Sequence, residues 1–296
     1  MKVSGFTFVR NALKYDYPIV ESIQSLLPIV DEYIVCAGNS EDATLQLIEN
    51  IHSPKIKIIH SVWDDNLREG GRVLAVETDK AKAAVSKDSD WLFYLQGDEC
   101  IHEKDHQLIT NTMKQYKNNA NVEGLLFNYH HFYGAYQYVG DSRRWYNKEI
   151  RIIRNNPEIK SWKDAQGFRK NEEKLYVKTI NAFIYHYGWV KNPFLQKQKQ
   201  EDFGKLWTND DLEIEKYKAY LNSLKNGFAY GDEVDSLKLF NGTHPSSMKQ
   251  RINNADWQFE FDINKKHFRD FKSRLLYAIE KTTGKRLFDY KNYKII

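Results

Sequence analysis

An uninterrupted apolar run, WLFYL at residues 91–95, most constrains how this chain can fold, because it ends abruptly in Gln96, Asp98 and Glu99. A strand whose two faces are both covered by helices reads as continuous apolar sequence, whereas a half-exposed strand alternates between apolar and polar residues. In open α/β sheets, ligands bind just beyond the carboxyl ends of the strands. The run therefore predicts a central parallel strand with a binding site at its end.

The first half of the chain alternates strand patterns with helix patterns. Strands are predicted at residues 4–9, 32–37, 55–60 and 91–96, and the segments between them carry apolar residues at helical spacing, the last over residues 73–85. This alternation predicts right-handed crossovers and a mostly parallel central sheet flanked by helices, which is an α/β fold. Less regular strand patterns follow at residues 124–131, 149–154 and 177–187.

From Pro193 onward the sequence is polar, aromatic and helical in pattern, which predicts a catalytic domain at residues 1–192 and a helical C-terminal extension at residues 193–296. Within this extension, KKHFRDFKSRLLYAIEK at residues 265–281 places apolar residues at helical spacing beside lysines and arginines. A basic amphipathic helix of this kind packs on its own domain or docks on an anionic membrane face. The sequence leaves both alternatives open.

Composition and motifs argue against several classes of protein. The formal net charge of +4 is mild and most lysines are interspersed with acids, so nucleic acid is not an indicated partner. Two cysteines are too few for a disulfide framework, and no apolar run is long enough to span a bilayer, which together predict a cytoplasmic protein. Neither G-x-G-x-x-G after a strand nor G-x-x-x-x-G-K-[ST] occurs, which argues against dinucleotide oxidoreductases and P-loop enzymes.

Acidic side chains at a strand end of an α/β sheet have two interpretations. Carboxylate oxygens bind magnesium or manganese, and these cations are commonly shared with the phosphates of a nucleotide. Alternatively, Asp98 and Glu99 form the N-cap and first turn of a helix, where acids are favourable without any ligand. The residue pattern by itself supports both interpretations.

Several blocks of the sequence resemble family-two-like glycosyltransferases. FVRNALKYDYPIVESIQSLLPIVDEYIVCAGNSEDATLQLI is similar to the opening of that family, and Asp42 and Thr44 match the end of its D-S-x-S-x-D-x-T turn. WLFYLQGDE resembles the strand that leads into the family's D-x-D motif. HFYG, RRWYNKEIRIIRN, DAQGFR and YHYGWVKNP resemble blocks of one bacterial subgroup, so that the resemblance covers about residues 3–200.

The resemblance implies a glycosyltransferase-A fold, a nucleoside diphosphate sugar as donor, and Mn²⁺ or Mg²⁺ bridging the donor's diphosphate. It also implies transfer with inversion to a glycan or glycolipid acceptor, as in the synthesis of bacterial surface polysaccharides, with peripheral contact to the inner membrane face as a further expectation. Two alternatives belong to other classes: a nucleotidyltransferase on a related sheet, and a non-catalytic carbohydrate-binding protein with a degenerate D-x-D site.

For the donor site, the strand ends and the loop before residue 73 supply the expected nucleotide-sugar contacts: Arg10, Asn11, Asp42, Arg72, Gln96, Gly97 and Asp98, with Arg68 as a further candidate. The resemblance gives Asp98, His186 and Glu99 as metal ligands. Gln96 stands where the family has the first Asp of D-x-D, and its amide can donate to and accept from a ribose hydroxyl. The acid that the family has at the end of the second strand is replaced by CAG at residues 36–38.

Inverting transfer requires a general base on the acceptor hydroxyl. Asp164, in SWKDAQGFR, lies where the resembling enzymes have an acid facing the acceptor, and its alternative role is to cap a turn before Gly167. Glu149 is the second candidate, although its alternation with neighbouring apolar residues also describes a half-exposed strand. Aromatic residues between positions 133 and 189 offer flat surfaces that suit a sugar acceptor or a protein core.

Overall fold

The protein is described here as a computed structural model that covers residues 1–67, 69–208, 210–232 and 234–296. Its strands are β1 (Val3–Val9), β2 (Glu32–Ala37), β3 (Ile56–His60), β4 (Trp91–Tyr94), β5 (Glu99–Ile101), β6 (Gly124–Tyr133), β7 (Ala135–Gly140), β8 (Lys148–Arg154), β9 (Ile159–Trp162), β10 (Gly167–Lys170), β11 (Glu173–Trp189), β12 (Leu237–Leu239) and β13 (Tyr293–Ile295). Its α-helices are α1 (Ile19–Leu26), α2 (Thr44–Glu49), α3 (Arg72–Ala83), α4 (His106–Tyr116), α5 (Pro193–Phe203), α6 (Asp211–Ser223), α7 (Lys249–Asn253) and α8 (Phe271–Thr283).

The central strand β4 is buried on both faces, as its apolar sequence predicts. Trp91 and Phe93 belong to a core cluster that also contains the apolar residues of α1 and α4. Leu92 and Tyr94 point the opposite way, into a second cluster built with α3. Neighbouring strands run parallel in the order β3-β2-β1-β4, with helices on both faces. The predicted α/β class, a sheet flanked by helices, is confirmed.

Beyond β4 the sheet becomes mixed. β8 pairs antiparallel with β4 on one side and with β6 on the other, and β6 runs parallel to β11. A parallel neighbour requires a crossover connection of a dozen or more residues, whereas antiparallel neighbours need only a short return. The strands β6, β7 and β8 follow one another through short connections, so the parallel arrangement of the first half does not extend over this region.

The long strand β11 sets the position of the site. It extends over Glu173–Trp189, beyond the predicted 177–187, because it pairs in succession with β10, β13, β6 and β5. Its antiparallel register with β5 places His186 opposite Glu99, and its parallel register with β6 places His186 opposite His131. Residues far apart in sequence thereby meet beside the carboxyl end of β4.

The C-terminal segment returns to the sheet, where β13 pairs with β11. Helix α8 begins at Phe271, because Asp270 caps it by accepting a hydrogen bond from the Ser273 N–H at 2.7 Å. The predicted helix therefore starts later than residue 265. Lys266 and Lys281 both pair with the buried carboxylate of Asp141, which fastens this segment to the end of β7. Within the described ranges, no helix has the length and apolar character needed to cross a membrane.

Candidate active site

A cleft of about 830 Å³ opens at the carboxyl ends of the parallel strands. This volume lies within the range of small-molecule sites. The sequence-predicted residues that line the cleft are Arg10, Asn11, Gln96, Gly97, Asp98, Asp164 and His186. They come from the ends of β1 and β4, from the β9–β10 turn and from β11, and the fold brings them together as the strand-end argument predicts.

Asp98 lies between an imidazole and an ammonium group. Its Oδ2 atom is 3.8 Å from His186 Nε2 and 3.9 Å from Lys199 Nζ. Both distances exceed hydrogen-bond length. Burial opposes ionisation of Asp98, yet nearby cationic groups, including Lys199, hold its pKa below the ordinary value. The carboxylate is therefore charged at neutral pH and faces two nitrogen atoms across a small gap.

The tautomer of His186 follows from its neighbours. His131 Nε2 lies 2.8 Å from the carbonyl oxygen of Tyr146, which can only accept, so this nitrogen carries a proton. Burial lowers the pKa of His131 well below the ordinary value, and its Nδ1 therefore accepts a hydrogen bond from His186 Nδ1, 3.1 Å away. Burial also lowers the pKa of His186, so the neutral ring presents the lone pair of Nε2 to Asp98, which is the form of imidazole that binds metals.

Asp98 and His186 are near enough to share a divalent cation after a small approach. Two ligand atoms at about 2.1 Å that are adjacent in an octahedron lie about 3.0 Å apart, and the observed separation of Asp98 Oδ2 and His186 Nε2 is 3.8 Å. Among the described residues, no group of three or more His, Cys, Asp or Glu side chains is arranged to hold a metal ion. A cation here would therefore take its remaining ligands from a bound phosphate and from water.

Glu99 supports the site from behind rather than lining it. It is the first residue of β5, so the helix-cap interpretation of the acid pair is wrong. Arg151 donates from Nη2 to Glu99 Oε1 and from Nε to Oε2, both at 2.8 Å. The Tyr129 hydroxyl and the Gln96 N–H donate to the same two oxygens at 2.8 and 3.1 Å. The expected role of Glu99 as a metal ligand disagrees with this geometry, because both oxygens are already engaged.

Of the two candidate bases, Asp164 lines the cleft and Glu149 does not. Asp164 occupies the tight β9–β10 turn, and Gln96 Nε2 donates to the carbonyl oxygen of the next residue, Ala165, at 3.3 Å. Burial raises the pKa of Asp164. Glu149 is buried behind the turn, where its Oε1 accepts from the Ile150 N–H at 2.8 Å and burial raises its pKa to about 7. The cleft geometry therefore favours Asp164 as the base.

Arg10 is one of the cationic residues that line the cleft. Its Nη1 donates to Asp65 Oδ1 at 3.1 Å, and its guanidinium lies 5.5 Å from the centre of the Trp63 ring. The ring of Phe8 packs against Trp63 with centroids 5.8 Å apart. Asn11 Oδ1 accepts from the Glu41 N–H at 2.8 Å, which fixes the loop beside Arg10.

Two further nucleotide candidates lie outside the cleft lining. The carboxylate of Asp42 accepts hydrogen bonds from the backbone N–H groups of Thr44 and Lys14 at 3.0 and 2.7 Å, so it closes a loop instead of facing the ligand. Arg72 is exposed at the first position of α3. Arg68 lies outside the described residues. The family resemblance points to Asp42, and the position before α3 points to Arg72, but the fold turns neither side chain into the cleft.

The opposite wall comes from α5 and the turn after it, which sequence reasoning did not single out. Lys199, Asp202 and Phe203 lie on this wall. Asp202 Oδ2 accepts from the Tyr15 hydroxyl at 3.0 Å and pairs with Lys14 Nζ at 3.1 Å. The segment QKQKQEDF gives no periodic signal of this role; only the contact of α5 with the loop after β1 reveals it.

Comparisons with known proteins find likeness among solved structures. No family model and no curated protein matches the chain. The structure of TarS 1-349 from S. aureus is 14% identical, with 76% of this chain and 73% of that chain covered and a TM-score of 0.38. The 4-diphosphocytidyl-2C-methyl-D-erythritol synthase of Anaerococcus prevotii is 12% identical, with coverages of 75% and 96% and a TM-score of 0.39.

A third similar structure is glucosyl-3-phosphoglycerate synthase from Mycobacterium tuberculosis in complex with Mn²⁺, UDP and phosphoglyceric acid. It is 18% identical, with 45% of this chain and 43% of that chain covered and a TM-score of 0.30. Because all three TM-scores lie below 0.5, the α/β assignment rests on the strand order and packing of this chain, and its function on its own site residues.

Proposed function

We propose that this protein is a glycosyltransferase that moves a sugar from a nucleoside diphosphate sugar to a glycan or glycolipid acceptor with inversion. The observation that carries the proposal is the cleft itself, in which Asp98 Oδ2 and His186 Nε2 lie 3.8 Å apart and which Arg10 and Asp164 also line. This arrangement offers a cation site, positive charge and a carboxylate base within one pocket, which are the groups that transfer from a diphosphate leaving group requires.

In the donor half, we assign Arg10 and Asn11 to the nucleotide and Gln96 to the ribose. Phe8 and Trp63 provide apolar surface for the base. Asp98 and His186 would hold Mg²⁺ or Mn²⁺, and a bound cation of this kind neutralises the charge on a departing diphosphate. Gly97, which connects Gln96 and Asp98 along the cleft wall, leaves room for the diphosphate to approach the backbone.

In the acceptor half, we assign Asp164 to deprotonation of the attacking hydroxyl. The rings of Tyr146, Trp189 and Trp207 line the same cleft, and flat aromatic surface with a polar edge suits a sugar acceptor. The hydroxyl proton passes to an Asp164 Oδ atom as the new bond to the anomeric carbon forms. The raised pKa of Asp164 favours its acting as a proton acceptor, provided that the pH keeps it ionised.

The donor assignment predicts that a nucleoside diphosphate stabilises the protein in a manganese-dependent way. We expect one of ADP, CDP, GDP and UDP, at about 100 times its Kd, to raise the Tm by about 5 °C with Mn²⁺ and by less with EDTA, measured by thermal shift. A protein that none of these nucleotides stabilises is not a glycosyltransferase of this type. Release of pyrophosphate instead of a nucleoside diphosphate during turnover would instead identify a nucleotidyltransferase.

Asp164→Asn should reduce kcat by about 100- to 10,000-fold, because an amide cannot accept the hydroxyl proton. The Kd for the nucleoside diphosphate should stay within about threefold of wild type, since the assigned role concerns the acceptor. Glu149→Gln is the matched control, because it removes the other candidate base, whose pKa is also raised. Rapid turnover by Asp164→Asn together with a large loss in Glu149→Gln would transfer the base assignment to Glu149.

We further propose that α8 contacts an anionic membrane surface that carries the acceptor. Phe271 and Leu275 are 78% and 48% exposed on this helix, and Lys272 and Arg274 are exposed beside them. Apolar side chains flanked by basic ones match the interface of an anionic bilayer.

The membrane proposal predicts that the protein floats with phosphatidylglycerol vesicles but not with phosphatidylcholine vesicles. The double variant Phe271→Ser/Leu275→Ser should lose most of this binding, because it removes the apolar surface that enters the interface. Leu108→Ser, which alters a residue on α4 that is 40% exposed, is the control and should float like the wild type. Equal flotation of the wild type and the double variant would rule out α8 as the contact.

A further inference from the structure

Lys199 is a buried lysine on the wall of the cleft. The residue is 9% exposed, and its Nζ lies 4.8 Å and 5.4 Å from the ring centres of Tyr17 and Phe203. The Nζ donates a hydrogen bond to the carbonyl oxygen of Gly188 at 3.1 Å. Burial lowers the pKa of Lys199, whereas the Asp98 carboxylate, the two aromatic faces and the carbonyl oxygen all favour an ammonium group at this place in the cleft.

The hydrogen bond to Gly188 leaves other N–H donors of Lys199 available beside the cleft. An ammonium group has three N–H donors. Asp98 Oδ2, at 3.9 Å, is too distant to accept a hydrogen bond from Lys199. Among the described residues, Lys199 Nζ donates one hydrogen bond, to the carbonyl oxygen of Gly188. Two donors are therefore available on the side where Asp98, His186 and the cleft meet.

The other cations on the cleft wall are differently placed. Lys14 pairs with Asp202 at 3.1 Å and Lys205 with the same carboxylate at 3.8 Å, and both lysine side chains are more exposed than that of Lys199. Arg10 is engaged with Asp65 at the nucleotide end. Lys199 alone among these shares its carboxylate with His186, the residue that we assign to the cation.

We propose, on the basis of the proposed function, that Lys199 is a catalytic residue whose ammonium group binds the β-phosphate of the donor. During transfer, the bond between the anomeric carbon and the β-phosphate oxygen breaks and its electron pair stays on that oxygen. The acceptor oxygen forms the new bond to the anomeric carbon, and its proton passes to Asp164. Lys199 donates N–H groups to the β-phosphate, whose negative charge increases as the bond breaks.

The assignment of Lys199 to the β-phosphate follows from the small number of charged side chains at the proposed cation site. Asp98 is the single carboxylate among the two side chains that fit a cation, because Gln96 is neutral and Glu99 is held by Arg151. A weakly charged metal site leaves much of the diphosphate charge to be neutralised by the protein. Lys199 places an ammonium group 3.9 Å from that carboxylate, and its burial strengthens the interaction with a phosphate in the cleft.

The test compares Lys199→Met with Lys197→Met, a control on the same helix whose Nζ lies near Leu224 O, away from the cleft. Calorimetric titration gives the Kd of ADP, CDP, GDP and UDP and of the matching monophosphates, with Mn²⁺ and with EDTA. We expect wild type and Lys197→Met to bind one diphosphate more tightly than its monophosphate. Lys199→Met should weaken diphosphate binding by about 10- to 100-fold, most strongly in EDTA, and leave monophosphate binding within about threefold.

A folded Lys199→Met protein with the diphosphate preference of the wild type would overturn the proposal. Wild-type protein that binds none of the nucleotides would instead overturn the proposed function, so the two failures are distinguishable. Lys199→Arg keeps the charge and should retain the diphosphate preference to within about tenfold. If the methionine variant does not fold, Lys199→Gln, which keeps a donor for Gly188 O without the charge, replaces it with the same expected loss.

Discussion

Asp98→Asn should slow sugar transfer by at least about 100-fold. Asparagine has nearly the same shape as aspartate, so the packing of the site is preserved. It removes the negative charge that lies between His186 Nε2 and Lys199 Nζ, at 3.8 and 3.9 Å. Without that charge the cation site loses the one carboxylate that the described residues supply to it.

The measurement is the initial rate of nucleoside diphosphate release from the donor that thermal shift identifies. The same variant should show equal stabilisation by that nucleotide with Mn²⁺ and with EDTA, because the metal-dependent part of binding is lost. Asp88→Asn is the matched control, since Asp88 is exposed before the opposite end of β4 and pairs with Lys2. Wild-type turnover by Asp98→Asn would show that the carboxylate has no part in transfer.

The sequence predicts the parallel half of the fold closely because its signals are local. The second strand was predicted at residues 32–37 and is observed at Glu32–Ala37, where every residue is buried. The continuous apolar run at β4 likewise predicts a strand that is covered on both faces. The short strands β9, β10, β12 and β13 are too brief to carry a periodic pattern, so pairing partners distant in sequence determine them.

The residues of the candidate site likewise fall into two groups, those that local sequence predicts and those that it does not. Arg10, Gln96 and Asp98 follow strands directly, so the rule that ligands bind at strand ends predicts them. His131 and Lys199 cannot be found by that rule: His131 meets His186 through the β6–β11 register, and Lys199 reaches Asp98 through the packing of α5. The signal for His131 in the sequence is the pair of adjacent histidines in NYHHFYG. These polar residues lie near the end of the apolar strand β6, at the same edge of the sheet as the other strand ends.

Arg151→Met should lower the free energy of unfolding by about 3–5 kcal/mol, because it leaves a buried carboxylate without its cation. The side chains of Arg151 and Glu99 are both 0% exposed, and two hydrogen bonds of 2.8 Å join them. Arg151 also donates to the carbonyl oxygens of Ile150 and Gln166 at 3.0 and 2.7 Å. Methionine fills much of the same volume, so the expected loss comes from the uncompensated charge and the unsatisfied carbonyls and only slightly from a cavity.

Urea unfolding followed by circular dichroism measures this change, and Lys170→Met is the matched control. Lys170 pairs with Glu123 at 3.0 Å, but its side chain is 36% exposed, so the loss of this pair should cost about 0–1 kcal/mol. The double variant Glu99→Gln/Arg151→Met should recover more than half of the loss, since it removes the unpaired charge. A loss below about 1 kcal/mol in Arg151→Met would show that the pair does not stabilise the fold.

The same pair connects stability to the site, which gives the experiment a second readout. Glu99 Oε2 accepts from the backbone N–H of Gln96, and Gln96 Nε2 in turn donates to Ala165 O beside Asp164. When Arg151 is removed, the Glu99 carboxylate loses the two hydrogen bonds that fix it, and we expect the loop that carries Asp98 to loosen. Folded Arg151→Met should therefore bind the nucleoside diphosphate about tenfold more weakly at a temperature well below its Tm, whereas Lys170→Met should bind it like the wild type.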